Sequence, residues 1–150
     1  MRPAVLLAFL AAAACGDDPT NPPGGNPDLE VTRPVPGIPG LKQIVRVRPA
    51  SPFVGDTVLV TTVLRNDGAT GTGTLESSIC GPGLRGSLPL HDPFGHCAGY
   101  STSTAIAPGD SVMDGTMRVV TGPAGSYQLE VNHLRAPEYW APLSVEVRAR

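Results

Sequence analysis

The 150-residue chain is poor in the residues that do chemistry or build helices. Aromatic residues make up 5% and charged residues 16%, both low for a soluble domain. Gly-x-Ser-x-Gly, His-Glu-x-x-His and the P-loop are all missing, and with them the usual nucleophile, zinc and phosphate devices. Asp110 and Asp114 flank a strand start, but Asp110 follows Pro-Gly, where a turn calls for Asp anyway. A non-enzymatic chain without a cofactor is therefore expected. From residue 41 onward Lys42 and eight arginines meet nine acidic residues, with no basic stripe, so nucleic acid is not an expected partner. No repeat of 20–50 residues and no capped run at helical spacing follows residue 15. What the chain does have is 18 Gly, 17 Pro and three Cys, a composition of turns rather than long helices.

The leader carries the most specific signal. Arg2 precedes an unbroken apolar stretch at residues 4–14, too short to span a bilayer but fitting for a secretory signal. Ala12, Ala13 and Ala14 then lead directly into Cys15. This resembles the lipobox of bacterial lipoproteins, with Ala12 where leucine is usual. The resemblance implies a signal peptide over residues 1–14, cleavage before Cys15, and acylation of that cysteine by chains such as palmitate. Two or three such chains make membrane anchoring stable, whereas one does not. Gly16, rather than an acid, follows Cys15. In a two-membrane bacterium that favours the outer membrane within the cell envelope.

Residues 16–40 contain seven Pro and five Gly, which reads as a disordered, partly extended tether. Residues 15–40 are thus assigned to the lipidated cysteine and a linker, and residues 41–150 to one domain. There the pattern turns to short alternating runs. Val45 and Val47 alternate with Arg46 and Arg48, and residues 57–65 are rich in Val and Thr. Asn66-Asp67-Gly68 marks a turn before a weaker strand near residues 74–80. Further strands are expected at residues 98–105, 111–120, 127–133 and 143–147. About seven strands suit an all-β, immunoglobulin-like β-sandwich, with a small open barrel as the alternative.

The stretches FVGDTVLVTTVLRNDGA and IAPGDSVMDGTMRVVTGPAGSYQLEV resemble bacterial immunoglobulin-like modules, namely CARDB domains and the fold of BsuPI-type proteinase inhibitors. The matching motifs report backbone geometry. Tyr127, at a strand start after Pro-Ala-Gly-Ser, resembles a tyrosine corner, whose hydroxyl bonds back to the preceding loop. A simple core tyrosine is the alternative.

With Cys15 carrying lipid, Cys80 and Cys97 remain to form a disulfide in the oxidising envelope. The bridge closes the long segment GPGLRGSLPLHDPFGH, residues 81–96, read as irregular. Such long loops are often functional, and Leu84, Arg85, Leu88, Leu90 and Phe94 are its candidate binding residues; a loop that simply packs over the open end of the sandwich is the alternative. His91 and His96 are weak metal candidates, five apart in a proline-containing loop with no defined geometry. The function expected is that of a membrane-anchored envelope lipoprotein, a non-enzymatic binding or structural module whose candidate partner is a protein or polysaccharide of the envelope. The alternative is a proteinase inhibitor presenting loop 81–96, and a metal-binding envelope protein ranks below both.

Overall fold

A computed structural model describes residues 27–95, 97 and 99–150. The expected signal peptide, Cys15 and His96 lie outside the described residues.

The described chain is all β apart from one 3₁₀ turn at Pro137–Tyr139. Its strands are β1 (Leu29–Pro34), β2 (Leu41–Arg48), β3 (Thr57–Asn66), β4 (Leu75–Ser78) and β5 (Gly83–Gly86). They continue with β6 (Leu90–His91), β7 (Ser101–Thr104), β8 (Ser111–Val120), β9 (Gly125–Asn132) and β10 (Ala141–Val147). A five-stranded sheet runs β1-β2-β3-β8-β6, a three-stranded sheet runs β10-β9-β5, and β4 pairs with β7 as a two-stranded flap. Every ladder between named strands is antiparallel. This is the immunoglobulin-like β-sandwich expected.

Side-chain alternation decides which face of each strand is covered. In β3, Val58, Val60, Thr62, Leu64 and Asn66 are buried, while Thr57, Leu59 and Arg65 are exposed. Val45, Val47, Val58, Val60 and Val120 of the larger sheet meet Leu129, Val131, Leu143, Val145 and Val147 of the smaller one. Each such side chain contributes roughly 1.5–3 kcal/mol when fully removed from water. A second cluster of Val35, Leu41, Leu64, Leu75, Ile106 and Leu134 fills the other end. Two turns expected from the sequence fix that end. Asn66 is fully buried, and its carboxamide donates to the carbonyls of Thr70 and Ile106, 2.8 and 3.0 Å away, while accepting from Gly68 N. Gly109, in the left-handed region at φ 82°, donates its N–H to Asn66 O over 2.8 Å.

The structure corrects the tether boundary. The expected linker of residues 15–40 includes β1, which pairs with β2 from Leu29↔Val47 to Pro34↔Lys42. Leu29 and Val31 pack on the core while Glu30 and Thr32 face out, so a short alternating strand precedes the turn. Pro34 is tolerated because β1 is an edge strand, where an N–H can be spared. Residues 35–40 form a closed turn in which Val35 N donates to Leu41 O at 2.9 Å and Leu41 N to Ile38 O at 3.2 Å. Gly and Pro here serve tight turn chemistry rather than a spacer.

The second correction concerns the segment read as irregular, residues 81–96, part of which is regular strand. It contains β5, paired with β9 from Gly83↔Asn132 to Gly86↔Leu129, and β6, paired with β8.

Candidate ligand-binding cleft beside Trp140

The five candidate binding residues separate according to burial. Leu88 is buried, and half-buried Leu84 and Leu90 pack on the main core. Arg85 turns outward to a different partner, described below, and Phe94 is 74% exposed. They do not form one protruding loop, because three apolar side chains anchor the segment and Leu84-Arg85-Gly86 is hydrogen-bonded into a sheet. A proteinase inhibitor needs a loop that stands clear and enters an active site, whereas Leu84-Arg85-Gly86 is paired along β9. Cys80 and Cys97 sit at disulfide distance, with Cα atoms 5.7 Å apart. Exposed His91 lies in β6 opposite Val119. Among the described residues no group of three or more His, Cys, Asp or Glu could hold a metal ion.

Tyr127 meets its expectation. Its hydroxyl donates to Pro123 O at 2.8 Å, tying the turn before β9 to the strand it launches. The bond positions β9, and β9 in turn positions a cleft at its far end.

That cleft is built where β9 runs out. Asn132, 6% exposed, receives Leu134 N at 2.9 Å on its side-chain oxygen and donates to Ala136 O at 2.8 Å. Both ends of the carboxamide are thus used to fold residues 133–136 into a fixed bend. The bend passes through the 3₁₀ turn to Trp140 and on into β10. Arg135 ties the bend to the flap: its N–H donates to Glu76 O at 3.0 Å, and its guanidinium donates to Gly99 O.

Trp140 lies against β5. A Cβ at Gly83 would stand 3.2 Å from the ring's Cη2, so glycine lets the indole approach the strand. The Arg85 guanidinium is 4.2 Å from the ring centroid, and Arg85 also pairs with Glu130. This cation–π contact fixes the ring orientation. Ser78, Gly83, Asn132, His133, Arg135 and Trp140 are among the residues lining a cleft of about 400 Å³. That volume is in the range of small-molecule sites, and its mix of one aromatic with a few fixed polar groups is typical of them.

His133 is 4% exposed, and its Nδ1 stands 2.6 Å from Thr62 Oγ1 across the sandwich. Burial pushes its pKa below the ordinary histidine value, with the Asp114 charge pulling the other way. The neutral ring is therefore favoured, and Thr62 donates when Nδ1 is unprotonated. A second pocket, of about 90 Å³, also has Trp140 in its wall, together with Arg33, Val35, Gln43, Glu138 and Tyr139.

No motif in the sequence marks Trp140, Asn132, Arg135 or Gln43 as site residues. A signal existed for Gln43: it occupies the inward register of Leu41, Val45 and Val47, where a polar residue needs a reason.

No protein-family model matches the chain, and no curated protein does. Among solved structures, the ASH / PapD-like domain of human CEP192 (PapD-like domain 7) is similar at a TM-score of 0.26 and 15% identity. The likeness covers 99% of this chain and 96% of that one.

Proposed function

We propose that the chain is a non-enzymatic binding module of the bacterial cell envelope, held at the membrane by lipid on Cys15 and taking a protein or polysaccharide at the Trp140 end. The observation that carries the binding reading is the cleft of about 400 Å³ whose polar wall, Asn132 and His133, is buried and already hydrogen-bonded. Preorganised groups lose little entropy on binding, which is what a recognition surface needs and an incidental groove lacks. The anchor rests on the lipobox-like run ending Ala12-Ala13-Ala14-Cys15. The kinship proposed is with CARDB-type envelope modules, whose strand–turn motifs this chain resembles.

Two measurements test the two halves separately. Mass spectrometry of the membrane fraction is expected to find Cys15 acylated, and Cys15→Ser is expected to leave the chain unprocessed. A soluble, unacylated mature form removes the anchor. A photo-crosslinker in place of exposed Arg135 is expected to capture an envelope component from intact cells. Capture that is unaffected by Trp140→Ala removes the cleft as the binding surface.

A further inference from the structure

Six large apolar side chains are exposed among the described residues, and they are not scattered. Leu59 of β3 pairs across the sheet with Met117 of β8, and Met113 lies four residues back along β8 on the same outward face. Gly115 between the two methionines adds no side chain of its own, and a Cβ there would come within 3.1 Å of Thr61 Cγ2. Phe94, 74% exposed, borders a groove of about 350 Å³ together with Leu59 and Met117. A neighbouring groove joins Phe94 to Ile79, and the sixth residue, Tyr100, receives Ile79 N on its carbonyl at 3.2 Å. Exposed apolar residues are ordinary when single, whereas a contiguous set marks a surface that meets something.

The place where the chain enters the fold narrows what covers this surface. Asp28, just ahead of β1, ion-pairs with Arg48 at 3.0 Å; Arg48 stands opposite Leu59 in the ladder, and Leu59 opposite Met117. These residues form one row across the sheet, so with strands about 4.8 Å apart the chain enters about 15 Å from Met117. Eleven residues separate Cys15 from Pro27, a reach of at most about 40 Å. A bilayer holding Cys15 is thus tied to this end of the sandwich. The Trp140 cleft lies at the other end, because β10 runs from Ala141, next to Trp140, to Val147, and Arg148 then meets Phe53 just ahead of β3. Charges near the apolar surface are matched: Arg48 with Asp28, Arg46 with Glu30, and Arg118 with Asp92. With those cations occupied, the surface gains from acyl chains rather than from anionic headgroups.

We infer that the surface formed by Leu59, Phe94 and Met117 docks on the membrane that carries the Cys15 anchor, its side chains entering the acyl region of the leaflet. The inference rests on the anchor reading and adds an orientation to it: the apolar end lies on the bilayer and the Trp140 cleft faces away. Lipid anchoring is made stable by a second membrane signal, and apolar contact supplies one without charge.

Trp140 is the chain's only tryptophan, so the native protein reports the far end. Phe94→Trp in a Trp140→Phe background reports the docked end. Both acylated full chains are reconstituted into phosphatidylcholine vesicles with brominated acyl chains, which quench a tryptophan that enters them. Strong quenching with a blue shift is expected for the Phe94→Trp reporter, and quenching at least about fivefold weaker for native Trp140. Should the background variant unfold, the reporter is read with Trp140 retained, by subtracting the native signal. Adding Leu59→Ser and Met117→Ser is expected to at least halve the reporter's quenching, as both sites are exposed and such changes rarely unfold a domain. Replacing phosphatidylcholine with phosphatidylglycerol is expected to change nothing, and a requirement for the anionic lipid overturns the apolar mode. Equal quenching at both ends, or at neither, overturns the docking. A blue shift that grows with protein concentration and needs no lipid assigns the surface to a second copy of the chain, and also overturns it. Mass spectrometry of the same preparation separates the two premises. Acylated protein without quenching removes the docking and leaves the anchor, whereas protein without lipid removes both.

Discussion

Residues 35–40 and residues 81–97 have similar Gly- and Pro-rich composition, and both read as unstructured in the sequence, yet they are held by different means. The first is closed by its own backbone bonds, plugged by buried Val35, and pressed against another turn: a Cβ at Gly40 would lie 2.3 Å from Gly68 Cα. The second is held by side chains and a cross-link, with Leu88 in the main core and Cys80 beside Cys97. Gly and Pro report where the chain turns. Whether a turn is ordered depends on what it closes on, and that lies elsewhere in the sequence.

The sharpest way to break the comparison is at Gly40. Its φ is 82°, and the atom that an added methyl meets belongs to backbone, which cannot swing aside. Left-handed strain together with overpacking predicts that Gly40→Ala loses about 4 kcal/mol in denaturant unfolding of the full chain. Gly37 is the internal control. It has a similar φ of 76° but open space around it, so Gly37→Ala is expected to lose only about 1 kcal/mol. Equal losses at the two positions would show that the contact with Gly68 does not hold the turn.

The second segment is tested by removing its cross-link. Cys80→Ser/Cys97→Ser is expected to lose about 3 kcal/mol, the chain-entropy figure for a loop of this length. The cleft beside Trp140 is expected to survive at moderate denaturant, because Asn132 and Arg135 fold it without help from the bridge. Collapse of Trp140 emission in the double variant under native conditions would instead tie the two regions into one unit.

The same contrast explains how far the fold was legible in the sequence. β3 and β8 are long, alternate cleanly and end in Asn-Asp-Gly or begin after Pro-Gly-Asp, so local pattern locates them to within a residue. β1 was hidden because its two core contacts, Leu29 and Val31, sit just before a run of Pro and Gly. β5 reads Gly-Leu-Arg-Gly and has no strand signature. It is a strand because β9 offers it four partners, a tertiary fact. The site was less legible. The inward register of Gln43 could be counted off, but the acceptor its amide meets is Val131 O, 88 residues away. Trp140 becomes a site residue only because Gly83 and Arg85 come to lie against it.

The smallest expected effect lies at the join between the core and the cleft. His133 is held below the ordinary histidine value by burial, partly offset by Asp114. Its folded pKa thus lies under the unfolded value of about 6.5, and between the two the unfolded chain binds a proton that the folded chain refuses. Stability is then fully present above about pH 6.5, falls as the pH drops through that window, and levels off below the folded pKa. The slope cannot exceed about 1.4 kcal/mol per pH unit for a single proton. The ion-paired turn does not contribute there, because hydrogen bonds from Arg65 and Lys42 hold Asp67 at about 2. His133→Gln, which keeps a polar group near Thr62 and cannot titrate, is expected to flatten the difference in unfolding free energy between pH 7 and pH 5. An unchanged slope in that variant would place the proton elsewhere and leave His133 a simple packing partner of Thr62.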